Sequence, residues 1–166
     1  MSNMDSHTDQ TDPTPPDCFR LEELEQLQSF ENQILIEVNY YFWINQAEPT
    51  DAPYRFLFFL ELIFADQRSL LLTSGEDSEA IRVSDAGELV RTAEALRALH
   101  GKIVIQRVVA ADFPLWLGVQ RKMLLTIRLS KNEQGLYAND ALLLDFDEQQ
   151  ILVRLSAREG LEVGNY

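Results

Sequence analysis

Apolar and polar positions alternate with a period of two over much of the chain. The first such stretch, 34–44, reads ILIEVNYYFWI, and its period places Ile34, Ile36 and Val38 on one face. β-branched and aromatic side chains at this spacing are typical of a β-strand. Further stretches with strand character lie at 54–64, 70–74, 80–83, 102–110, 121–129, 141–146 and 151–156.

Two stretches have the period of an α-helix instead. Apolar residues recur on one face of 86–99, Asp85 is placed to cap its first turn, and Gly101 follows its end. A shorter helix is predicted at about 18–30, where leucines gather on one side and Asp17 is a suitable cap. The sequence therefore predicts one long central helix and one short N-terminal helix.

The start of the chain has a different composition from the rest. Residues 1–17 contain three prolines and no large apolar residue except two methionines, so they predict a disordered tail. Residues 18–166 carry the strand and helix patterns, and their number suits one core. We expect them to form a single globular domain.

Two segments follow a similar order of features. In both 60–83 and 142–163 an apolar strand leads to a turn with aspartate, a second apolar strand, a serine, a turn with glycine and glutamate, and a last short strand. The predicted fold class is therefore α+β and mostly β, with about eight strands in two related antiparallel meanders. The alternative is chance likeness between two hairpins with acidic turns.

Charge is distributed unevenly along the chain. The net charge is −13, and residues 1–79 account for all of it, because residues 80–166 hold 11 acidic and 11 basic residues. Such a field repels nucleic acid and anionic lipid and attracts basic proteins. A solvated acidic surface, common on soluble bacterial proteins, is the simpler interpretation. We expect no nucleic-acid partner.

Cysteine content and hydropathy bear on the compartment. The one cysteine, Cys18, has no second cysteine to pair with, which fits a reducing compartment. The most apolar run, 56–64, is far shorter than the about 20 residues that span a bilayer, and no N-terminal stretch has the pattern of a secretory signal. The sequence predicts a cytoplasmic protein without membrane contact.

Common catalytic and metal motifs are missing from the sequence. The chain has two histidines, one cysteine and seven scattered glycines, too few or too dispersed for a zinc site, a catalytic dyad or a phosphate-binding loop. We therefore expect no catalytic residue, cofactor or metal of these kinds, and the prediction leans against an enzyme. Carboxylates leave one alternative open, because Glu37 and Glu61 interrupt apolar strands.

Five residues are candidates for contact with a partner. Glu76, Asp77 and Glu79 follow a glycine in an acidic turn, which favours a solvated turn first, a partner contact second and a cation site third. Asp66 lies in the preceding turn. Trp116 lies in an aromatic loop that either anchors a partner or plugs the end of the β core.

These observations favour a non-catalytic acidic module that binds a protein partner of basic character. In its small size, acidity and β content the chain resembles immunity proteins that neutralise basic toxins, which implies an immunity-type inhibitor. The first alternative is a carboxylate-dependent enzyme or metal-binding protein centred on Glu37, Glu61 or the 76–79 turn. The second is a structural homo-oligomer, since the basic stretch 102–131 can face the acidic half of a second copy in a homodimer.

Overall fold

The computed structural model describes residues 13–45, 55–75, 78–99 and 103–166. Over these ranges the chain forms three helices and ten strands, and it is mostly β. The helices are α1 (Leu21–Ser29), α2 (Ala86–Leu99) and α3 (Pro114–Leu117). The strands are β1 (Gln33–Asn45), β2 (Arg55–Phe64), β3 (Ser69–Thr73), β4 (Arg82–Ser84), β5 (Ile103–Val109), β6 (Met123–Leu124), β7 (Thr126–Arg128), β8 (Ala141–Asp145), β9 (Gln150–Ser156) and β10 (Gly160–Asn165).

The strand pairings form a closed circuit. β1 pairs with β2, β2 with β10, and β10, β9, β8 and β7 then pair in that order. Leu125 alone separates β7 from β6, and β6 returns to β1. The sheet therefore curls around a core, while β3 and β4 extend from β2, and β5 extends from β1.

One pairing in this circuit is parallel. β10 meets β2 where Gly160 lies opposite Leu57, and Gly160 has a φ of +79°. A Cβ at this position would collide with the Leu57 carbonyl oxygen and crowd the Phe56 ring. Glycine is thus required here both for its backbone conformation and for the close approach of the two strands.

The predicted fold class holds only at the level of a mostly β, α+β chain. The sheet is mixed and has ten strands, so the prediction of about eight strands in antiparallel meanders was wrong in those details. The predicted strand 121–129 divides at Leu125 because its first part pairs with β1 and its second with β8. Each similar segment does contain three consecutive antiparallel strands, β2–β3–β4 and β8–β9–β10.

The prediction that Ile34, Ile36 and Val38 share one face of the strand was wrong at the start of β1. A register shift between Leu35 and Glu37 inserts Ile36 as an extra residue, and such a bulge reverses which side chains face inward. Leu35 is therefore fully buried, whereas Ile34 and Ile36 are each 38% exposed. Val38, beyond the bulge, is buried.

The helices agree more closely with their sequence signals. α2 spans 86–99 as predicted, and the Asp85 carboxylate accepts a hydrogen bond from the Glu88 N–H at 2.8 Å. α1 begins at Leu21, with Arg20 as its N-cap instead of Asp17. The reason is that Cys18 forms an extended bridge with Ala138 and so delays the helix.

Two apolar clusters support the sheet. The larger lies inside the curled sheet and includes inward side chains of β1, β2, β8, β9 and β10. The smaller, made by Phe56, Phe58, Phe59 and Leu71, lies on the outer face, where Leu89 of α2 packs against it. Within the described ranges no helix has the length and apolar content needed to span a bilayer.

Candidate functional site

Asp66 organises the turn between β2 and β3. Its carboxylate accepts hydrogen bonds from Arg68, at 2.6 Å from Nε and at 3.1 Å from the backbone N–H. These bonds hold the pKa of Asp66 below its usual value. The Arg68 guanidinium also donates to the Ser29 carbonyl and lies over the Phe30 ring, so the turn is joined to the end of α1.

The other candidates from the sequence lie apart from Asp66. Glu79 is exposed in the segment that leads to β4, and Glu76 and Asp77 lie outside the described residues. Trp116 is fully buried, and its Nε1 donates a 2.6 Å hydrogen bond to the Tyr40 hydroxyl. The loop thus plugs the core in this conformation, and a partner does not reach the indole ring.

Residues from three elements instead line one polar cleft of about 390 Å³, here called the α1–β4 cleft. Arg20, Glu22, Glu23 and Gln26 come from α1 and its cap, Arg82 and Val83 come from β4, and Glu88 comes from the first turn of α2. Acidic residues that are far apart in the sequence therefore share one surface.

A buried carboxylate fixes the walls of this cleft. Glu23 is 6% exposed, and its carboxylate is 2.8 Å from the Arg82 guanidinium. The same carboxylate accepts hydrogen bonds from the backbone N–H groups of Arg20 at 3.0 Å and Val83 at 2.9 Å. The bonds from Arg82 and Val83 join α1 to β4 and the bond from Arg20 caps α1, so Glu23 acts as a structural anchor.

Arg82 extends the same anchor into the N-terminal segment. Its guanidinium donates to the carbonyl oxygens of Cys18 at 3.1 Å and Pro16 at 2.6 Å. The Pro16 carbonyl also accepts a 2.9 Å bond from the Asn139 side chain. Residues 16–18 are thus held against β4 and the β7–β8 connection.

Exposed carboxylates give the cleft its charge. Glu22, Glu88 and Arg20 are exposed lining residues, and the charges of Glu23 and Arg82 offset each other, so two carboxylates face one guanidinium in the lining. Four more exposed carboxylates lie within three residues of the lining along the chain, namely Asp17, Glu25, Glu79 and Asp85, against one further exposed base, Arg91. A partner at the cleft would therefore meet a negative surface around a neutral ion pair.

Glu61 belongs to a second polar cluster, on the outer face of the sheet. Its Oε1 accepts hydrogen bonds from the Asn39 side chain at 2.8 Å and the Tyr41 hydroxyl at 3.1 Å. Burial and the Glu61 charge raise the pKa of Tyr41 to about 12, so Tyr41 keeps its proton to a higher pH than an ordinary tyrosine. Glu37 lies on the same face but is exposed, so the two glutamates do not share an enclosed pocket.

Neither cluster has the composition of a metal site. Across the described ranges, no three or more His, Cys, Asp or Glu side chains converge in a way that could hold an ion. The Glu23–Arg82 pair was not predicted from the sequence. One available signal was Arg82, a cation inside the short apolar stretch AIRV.

No protein-family model, curated protein or solved structure matches this chain.

Proposed function

We propose that the protein is a non-catalytic binding module that receives a basic segment of a protein partner at the α1–β4 cleft. The observation that carries this proposal is the convergence of Glu22 and Glu88 on one cleft in a chain of net charge −13. Exposed carboxylates in a cleft whose wall is held by an ion pair suit a lysine or arginine side chain.

The division of roles within the cleft supports binding rather than catalysis. Glu23 and Arg82 use their polar atoms to hold α1 against β4, which keeps the wall in place. Glu22 and Glu88 are exposed and can meet a partner without breaking that wall. Because exposed charges act mainly on encounter rate and are screened by salt, binding should weaken steeply as ionic strength rises.

Titration with a synthetic oligolysine peptide tests the proposal. Fluorescence anisotropy would give its affinity for the parent chain and for the Glu22→Gln/Glu88→Gln variant. Each lost pair is worth up to about 1 kcal/mol, so the variant should bind roughly tenfold more weakly. The matched control is Glu133→Gln/Glu159→Gln, which removes the same charge at exposed positions elsewhere. If both variants lose the same peptide affinity, the peptide responds only to net charge and the proposed role of the cleft is contradicted.

An immunity-type inhibitor is the narrower form of this proposal. The partner would be a basic toxin whose cationic surface the cleft covers, in the cytoplasm, where a buried lone cysteine such as Cys18 stays reduced. Co-expression with a candidate toxin from a neighbouring gene would test it. Protection of growth by the parent chain but not by Glu22→Gln/Glu88→Gln is the expected result, and equal protection by both would contradict it.

One observation favours a second candidate function, that of a carboxylate-dependent enzyme. Glu61 is half-buried and positioned by Asn39 and Tyr41, as a catalytic carboxylate would need to be. A thermal melt with Mg²⁺, Ca²⁺ or Mn²⁺ would address its metal-dependent form, since a bound ion raises the midpoint. A shift that disappears in Glu61→Gln would favour this function over the binding module.

A further inference from the structure

β5 is an apolar strand at the edge of the sheet, and its contacts with α2 leave it only partly covered. Five of its seven residues are Ile or Val, yet none of the seven is buried, and Val109 is 55% exposed. Among the described residues, β5 pairs with β1 alone, so its other edge presents unpaired backbone groups. β2 and β3 are also rich in apolar residues, but unlike β5 they are largely buried.

Proteins usually protect such an edge, and β5 has few of the common devices, since Arg107 is its one charged residue. Natural edge strands are shortened, interrupted by proline or a bulge, or marked with lysine. β4, the edge at the other end of this part of the sheet, has only three residues. β5 has seven residues and lacks proline and lysine, and its pairing with β1 continues without a register shift. Its edge is therefore suited to pairing with another strand.

We propose that β5 pairs antiparallel with β5 of a second copy of the chain, about a two-fold axis at Gln106. In this register Ile103 lies opposite Val109 of the partner subunit, and Arg107 lies opposite Ile105 of the partner subunit. Gln106 faces the partner subunit's Gln106 across the axis. The two sheets then form one continuous sheet, and the apolar side chains of both edges cover each other.

The length and charge of β5 select this register. An axis at Gln106 pairs all seven residues of the strand. An axis at Arg107 would place two guanidinium groups directly opposite each other, which destabilises a strand pair. An axis at Ile105 would leave Val108 and Val109 without a partner from β5. Only the Gln106 register buries the whole apolar edge without directly opposed charges.

The acidic cleft and the β5 edge lie at opposite ends of this part of the sheet. The strand order β4–β3–β2–β1–β5 separates β5 from the acidic cleft by four strand spacings, about 19 Å along the sheet. Residues 103–122 hold three basic residues and one acidic residue in a chain of net charge −13. Two copies that meet at β5 therefore keep their acidic clefts apart, and both clefts stay open.

Substitution of Gln106 provides a charge-swap test on the full chain. Gln106 is exposed in the monomer, so Gln106→Lys and Gln106→Glu should fold, and circular dichroism would verify this. Sedimentation equilibrium should show a dimer for the parent chain and monomers for each variant alone. An equimolar mixture of the two variants should return to the dimer, because lysine and glutamate then meet at the axis. Gln134→Lys and Gln134→Glu, exposed elsewhere, should both remain dimeric.

A parent chain that is monomeric at high micromolar concentration would overturn the proposal, as would variants that stay dimeric. Cysteine cross-linking checks the register independently. Directly opposite residues lie within disulfide reach, whereas diagonal neighbours are about 7–8 Å apart. Gln106→Cys should therefore cross-link under mild oxidation much faster than Arg107→Cys. The parent chain is the control, because its Cys18 is only 1% exposed and should not cross-link. Faster cross-linking of Arg107→Cys would contradict the register.

Discussion

The Glu23 carboxylate and the Arg82 guanidinium lie 59 residues apart in the sequence and form a 2.8 Å ion pair between α1 and β4. The carboxylate side chain is 7% exposed and the guanidinium 22%. Since each group also hydrogen-bonds the backbone, the pair joins the helix, the strand and the N-terminal segment. It thereby sets the shape of the surface to which we assign binding.

Removing the Glu23 carboxylate should destabilise the fold strongly. Glu23→Ala leaves the Arg82 charge partly buried and two backbone N–H groups without their acceptor, which should lower the free energy of unfolding by about 3 kcal/mol. Urea denaturation would measure the change. Glu22→Ala, one residue earlier and exposed, should change it by less than about 0.5 kcal/mol. Equal effects would contradict the structural role of Glu23.

The parallel contact between β10 and β2 leads to a second expectation. Gly160→Ala combines a left-handed backbone with a collision against the Leu57 carbonyl, so it should cost more than about 2 kcal/mol. Gly135→Ala is the matched control, because its φ of +77° is nearly the same but its Cβ would meet no atom within 4 Å. It should cost about 1 kcal/mol. Chemical denaturation of both variants would show whether the close approach exists.

The buried hydrogen bond between Trp116 and Tyr40 can be tested in the same way. Tyr40→Phe leaves the indole N–H without its acceptor inside the core, which should cost about 1–3 kcal/mol. Tyr166→Phe, at an 80% exposed position, should have almost no effect. Urea titration followed by tryptophan fluorescence would give both values. If Tyr40→Phe leaves the free energy of unfolding unchanged, the loop does not plug the core as described.

Tyr41 makes stability depend on alkaline pH. Its pKa is about 12 in the folded chain against an ordinary value of 10.0, so the unfolded chain loses this proton first. Folding stability from this group is complete below pH 10 and is lost as the pH rises towards 12. The midpoint of thermal unfolding should therefore fall more steeply over this window for the parent chain than for Tyr41→Phe. If the midpoint falls equally steeply in both chains, the raised pKa of Tyr41 beside Glu61 is contradicted.

The sequence could predict those parts of the fold that depend on local chemistry. The bounds of α2 follow from a helical period and an aspartate cap that lie within the same stretch of chain. Strand character likewise follows from the local alternation. By contrast, the bulge at Ile36 and the division of a strand at Leu125 depend on closure of the sheet by distant strands. Local patterns do not contain that information.

The candidate site shows the same division. Charge along the chain indicated an acidic surface in the first half, and the cleft does contain α1 residues from it. Its partner residues Arg82 and Glu88 come from beyond residue 79, and only the packing of α1 on β4 brings them there. Trp116 illustrates the opposite case, because its aromatic loop had two interpretations and only the bond to Tyr40 distinguishes them.

The most direct test of the central claim is a map of where a basic peptide binds. Backbone amide NMR shifts would be recorded while an oligolysine peptide is titrated into the ¹⁵N-labelled chain. We expect the largest shifts at the N–H groups of Glu22, Gln26, Val83 and Glu88, and their loss in Glu22→Gln/Glu88→Gln. Shifts spread evenly over all exposed acidic residues, or centred on another part of the sheet, would contradict the assignment of binding to the α1–β4 cleft.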